Sequence, residues 1–175
     1  MDITANNKKP LVGVSQCLMG DAVRYDGQSK RNHIVLGQLS QLFELIPVCP
    51  EVEAGLSVPR PPVQLTGNIE HPLLIGRDDP SIDVTDIMQR YCHTKPQQLK
   101  HLQGFIFKSR SPSCGLNSTA VFINGQCVTE TASGIFAIAI CQHYPKLTVI
   151  EDTALTDHEK LQFFIQQVSN ARIPA

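Results

Sequence analysis

Six cysteines are spread through the chain, and Cys17, Cys49 and Cys114 stand apart from the rest by their surroundings. Each sits in a polar stretch marked by glycine or proline: CLMGDAVRYDG after Cys17, CPEVEAGL after Cys49 and KSRSPSCG up to Cys114. Cys92, Cys127 and Cys141 fall within helical or strand patterns, where a free cysteine is ordinarily a small core or surface residue. Thiolates suit soft metal centres, iron–sulfur clusters among them. Three cysteines on three loops would supply three ligands to a four-iron cubane and leave its fourth iron open to an exogenous group. Burial as three unrelated core residues accounts for the same spacing. The loop context favours ligands, because a polar loop has little reason to carry an apolar side chain.

Other catalytic patterns are missing from the sequence. The six histidines form no H-E-x-x-H and no tight pairing with cysteine, so nothing signals a zinc site. No Walker sequence and no G-x-G-x-x-G follows a strand, so no nucleotide cofactor is indicated.

The elements that would carry the three loops can be read from apolar periodicity. Leu11 to Cys17 reads as a strand, His33 to Phe43 as a crossover helix, and Glu44 to Cys49 as a second strand ending in a proline-rich turn. Leu73 to Ile75 reads as a strand, followed by a helix toward Cys92 with Ser81 or Asp83 as its cap. Pro96 should interrupt that helix, with a second one over Gln97 to Leu102. Gly104 to Lys108 is a buried strand running straight into the Cys114 loop. Asn124-Gly125 predicts a hairpin between Thr119–Ile123 and Gln126–Thr129, read as a local excursion. Gly134 to Tyr144 follows as a buried helix, Leu147 to Ile150 as a last strand, and Asp157 to Ala171 as an amphipathic helix capped by Thr156 or Asp157.

This alternation predicts an α/β fold: a mostly parallel sheet flanked by helices on both faces, with the cysteine loops at the carboxyl ends of the strands. The length suits a single domain over residues 1–175, with a flexible N-terminus over 1–10, a core over 11–151 and a C-terminal helix over 156–172. The formal charge of −1 and the lack of a long basic run argue against a stable nucleic-acid complex. No apolar stretch approaches the roughly 20 residues that cross a bilayer, and the first residues, MDITANNKKP, do not read as an export signal. The expected compartment is the cytoplasm, where thiols stay reduced.

Taken together, CLMGDAVRYDG at Cys17 to Gly27, CPEVEAGL at Cys49 to Leu56, PRPPVQL at Pro59 to Leu65 and KSRSPSCG at Lys108 to Gly115 resemble the TudS-type thiouracil desulfidase family, in order and over most of the chain. The resemblance implies a [4Fe–4S] cluster on Cys17, Cys49 and Cys114, with its free iron open to substrate sulfur. It implies conversion of a small thiolated heterocycle such as 2-thiouracil to its oxo form with release of sulfide. The family's glutamate and serine match Glu51 and Ser111 most directly, with Glu53 and Ser113 close enough to be confused with them. Arg24 and Asp26 are further candidates for lining the pocket or for an ion pair within the loop. Lys108 and Arg110 could offset cluster charge, and Arg60 either meets an anionic part of a ligand or faces solvent. Two alternatives remain: cluster-dependent sulfur transfer in tRNA thiolation or thioamide detoxification, and a non-catalytic iron–sulfur sensor or carrier.

Overall fold

Four short apolar runs align side by side in the order β2-β1-β5-β8, all parallel: β1 is Leu11–Ser15, β2 Glu44–Val48, β5 Gly104–Phe107 and β8 Thr148–Glu151. The computed structural model describes residues 8–171. The pleat sends alternate side chains to opposite faces of this sheet. Val12, Val14, Ile106 and Ile150 pack with Val35, Leu39, Phe164 and Val168. Phe105 and Phe107 pack instead with Leu102, Phe136, Ala137 and Ile140. Gly13 makes this possible, since a Cβ there would lie 2.4 Å from the Phe105 ring.

The expected crossover helix covers residues 33–42 and is π-helical over Val35–Leu39. Asn32 starts it by accepting from the amides of Ile34 and Val35, and the Ser40 hydroxyl takes the Leu36 carbonyl at 2.6 Å. The terminal helix, His158–Asn170, is capped by Asp157, whose carboxylate accepts from the amides of Glu159 and Lys160. Residue 172 and most of the expected flexible N-terminus lie outside the described residues.

Three expectations are corrected. Pro96 does not break the helix: Thr85–Gln98 is continuous, because a proline in the last turn removes only one amide. The Pro96 carbonyl then accepts from the Leu99 amide and the Tyr144 hydroxyl, which anchors the helix end. Of the two candidate caps, Asp83 accepts from the Thr85 amide, while Ser81 turns to Asp79. The proline-rich stretch after Cys49 holds a short helix, Pro50–Glu53, with proline at its first position, where the missing N–H costs nothing.

The third correction concerns architecture. The hairpin of β6 (Thr119–Ile123) and β7 (Gln126–Ala132) is no local excursion: β6 pairs in parallel with β3 (Val63–Gly67), which pairs antiparallel with β4 (Pro72–Gly76). The result is a second, mixed sheet in the order β4-β3-β6-β7 with its own core of Leu65, Leu74, Met88, Val121 and Ile135. The fold is therefore a single α/β domain with a parallel four-stranded sheet and a mixed sheet. Among the described residues no helix is long and apolar enough to cross a membrane.

Candidate active site

Parallel strands deliver their following loops to one edge of a sheet. Beyond β1 the chain makes a tight turn over Gln16–Met19 that ends at Gly20, whose φ of 100° suits glycine. The Cys17 carbonyl accepts from the Lys30 amide at 2.8 Å, folding the long loop back over the turn. Cys49 directly follows β2, and its carbonyl accepts from the Glu53 amide in the first turn of the short helix. The Cys114 loop is pinned by the helix Ile135–His143, whose Ile135 and Phe136 amides donate to the carbonyls of Pro112 and Ser113. Gly134 permits that approach: a Cβ there would lie 2.4 Å from the Ser113 carbonyl carbon.

Cys17, Cys49 and Cys114 together line one cavity of about 840 Å³. All three are free thiols. Burial pushes the Cys17 thiol up to about 11, against the pull of Lys108 and Arg24. Burial also raises Cys49, and it raises Cys114 well above the ordinary thiol value despite a hydrogen bond from Ser15. Buried thiols of this kind become thiolates only beside a positive centre. Among the described residues no three His, Cys, Asp or Glu side chains are close enough to share a single metal ion. A wide-set, all-sulfur trio around a roomy cavity fits a polynuclear iron–sulfur group in its donor chemistry.

The two glutamates behind Cys49 have opposite surroundings. Glu51 lines the cavity and is held at both oxygens: Arg60 Nε donates to Oε2 at 2.7 Å and Ser113 Oγ donates to Oε1 at 2.8 Å. Glu53 turns toward the Thr85–Gln98 helix, where Lys95 Nζ lies 2.6 Å from Oε2 and the Tyr91 hydroxyl donates to the same oxygen. Its Oε1 accepts from the Cys49 amide, so Glu53 secures the loop rather than facing the cavity.

The serines divide in the same way. Ser111 lines the cavity, and its Oγ accepts from the amides of Cys114 and Ser113, which leaves its own proton free to donate. Ser113 is buried and spends its hydroxyl on Glu51.

Arg24 is on the cavity wall, with Nε 3.4 Å from Asp26 Oδ1 and the guanidinium 5.4 Å from the Tyr25 ring centroid. That Nε is buried with no hydrogen-bond partner among the described residues. Asp26 accepts from the Gln28 amide and shapes the turn. Lys108 and Arg110 both reach the cavity, Lys108 paired with Asp152 at 3.2 Å.

Sequence reasoning missed the role of Arg60. It does not face solvent: on the cavity wall, its buried guanidinium is paired with Glu51. Ser15 and Asp152 were also missed; each directly ends or follows a strand of the parallel sheet, the one signal that could have marked them.

Fold and site together define an α/β protein with a thiol-lined cavity at the carboxyl edge of parallel strands. The chain belongs to the 2-thiouracil desulfurase family, whose model matches residues 12–152. Among solved structures it is similar to a [4Fe-4S]-dependent thiouracil desulfidase, TudS, with a TM-score of 0.66 and 27% identity over 89% of this chain and 99% of that one. It is also 25% identical over 156 residues to the uncharacterized protein YbbK of Bacillus subtilis, covering 84% of this chain and 99% of the relative.

Proposed function

We propose that this protein is a [4Fe–4S]-dependent, non-redox desulfidase that converts a thiolated pyrimidine such as 2-thiouracil to its oxo form and releases sulfide. The observation that carries this reading is the convergence of three loop cysteines and a buried, clamped glutamate on one cavity, in a member of this family. Cys17, Cys49 and Cys114 would hold the cluster. When bound, it supplies a soft Lewis acid whose unligated iron attracts the thiocarbonyl sulfur.

In the overall reaction the oxygen of water replaces sulfur on carbon, the two protons of water leave with the sulfur, and no electrons are exchanged with an outside partner. Glu51 is the group that moves those protons. Arg60 and Ser113 each occupy one lone pair of a carboxylate oxygen, and the remaining lone pairs can still accept a proton from water. Ser111 orients the substrate or the water through its free O–H, and Arg24, on the cavity wall and ion-paired with Asp26, adds positive charge beside the ligand. Glu53, Ser113 and Asp26 act indirectly, by holding Cys49, Glu51 and Arg24 in place. The cavity volume falls within the roughly 300–1,000 Å³ of small-molecule sites, which suits a small heterocycle as the partner. A ligand set of reduced thiols suits a cytoplasmic setting.

The test is anaerobic loading with iron and sulfide, followed by loss of thiouracil absorbance and release of sulfide. A fully loaded protein that does not turn over thiouracil defeats the proposal. Glu51→Ala should retain the visible absorption of the cluster while turnover falls about 100-fold or more.

A further inference from the structure

Glu51 is a hazardous neighbour for an open iron. It lies two positions after Cys49, on the wall of the cavity that holds all three thiols, and carboxylate oxygen is itself an iron ligand. Left mobile, it would compete with substrate sulfur for the vacant position.

The structure shows what restrains it. Each carboxylate oxygen is tied to a different loop, one to Arg60 and the other to Ser113. Arg60 has little freedom of its own: its side chain is 7% exposed, and its terminal nitrogens donate to the Ser57 and Val23 carbonyls at 3.1 Å each. Its backbone amide donates to the Tyr25 carbonyl at 2.9 Å. Ser113 is 1% exposed, within the loop that carries Cys114. Swinging Glu51 away would strip a buried charge pair and a buried hydroxyl of their partners, the costly kind of rearrangement.

We infer that Arg60 is a positioning residue that, together with Ser113, holds the Glu51 carboxylate off the cluster and so keeps the fourth iron vacant for sulfur. The inference rests on the reading of the cavity as a cluster site.

The experiment uses the anaerobically loaded protein with sodium sulfide as the probe, read at the unligated iron by Mössbauer spectroscopy without substrate. In the native protein sulfide perturbs that one iron. In Arg60→Gln the released Glu51 takes the position, and sulfide binds about tenfold more weakly or worse, as for a site occupied nine-tenths of the time by a competitor. The double variant Arg60→Gln/Glu51→Gln has lost the competing carboxylate and recovers native sulfide affinity. Ser113→Ala, which frees one oxygen and leaves Arg60 in place, weakens sulfide binding about threefold, as for a position that the carboxylate occupies about two-thirds of the time.

Native sulfide affinity in both Arg60→Gln and Ser113→Ala overturns the inference. So does a double variant as weak as the single one, or failure of both Arg60 variants to load iron, which would make Arg60 a strut for the loops. If the native protein itself takes up no cluster, or its cluster ignores sulfide, the functional reading fails instead, and that result appears without any substitution.

Discussion

In the sheet β2-β1-β5-β8 every strand runs the same way, whereas in β4-β3-β6-β7 two of the three pairings are antiparallel. The consequence is visible in what each sheet contributes. From the parallel sheet come Cys17 after β1, Cys49 after β2, Lys108 and Cys114 after β5 and Asp152 after β8, all on one cavity. The mixed sheet, whose two edge strands run against the two central ones, supplies wall residues such as Val63 and Arg77 and no thiol; its own Cys127 is exposed. Strand direction, more than strand composition, decides which loops can meet.

That division can be broken most sharply at the cysteines. Replacing Cys17, Cys49 or Cys114 singly with alanine should abolish turnover and the visible absorption of the loaded protein, while Cys127→Ala changes neither. Iron and sulfide analysis of each variant checks this, and loss of iron from Cys127→Ala would end the distinction between the sheets.

The next effect is on stability. Phe164, 1% exposed and packed edge-on against Phe43 beside the parallel sheet, should cost about 3–5 kcal/mol when truncated to alanine. Val128 on the mixed sheet is 47% exposed, and Val128→Ala should stay within about 0.5 kcal/mol of the native protein. Urea unfolding of the metal-free protein measures both.

The smallest expected change sharpens the comparison at the turn of the mixed sheet. Asn124 has a φ of 50°, in the left-handed region, so Asn124→Ala should cost about 1–2 kcal/mol and Asn124→Gly much less. The same urea series separates the two, and equal stability of both variants would remove the backbone explanation.

Much of the parallel sheet was legible because its strands are short, apolar and bounded by turn residues, the pattern of a sheet buried on both faces. The strand Val63–Gly67 was not, since it follows PRPP and is only partly buried, leaving a weak apolar signal. The continuity of the helix through Pro96 was likewise hidden: a proline there reads as a break unless the partners of its carbonyl are known. At the site, loop context singled out the three cysteines and the family resemblance pointed to Glu51 and Ser111, and all five line the one cavity. Arg60 was not, because nothing local links a residue between prolines to a carboxylate nine positions earlier.

The residue types and their order already determined that three loop thiols, a nearby carboxylate and a set of alternating strands and helices were present. Chemical identity and periodicity are properties of the chain itself, and they survive without coordinates. Only the tertiary structure shows that Glu51 and Ser111 line the cavity, while Glu53 turns to Lys95 and Ser113 to Glu51. Neighbours one or two positions apart on a short helix or tight loop point in different directions, and their partners, Arg60 for one glutamate and Lys95 for the other, come from separate parts of the chain.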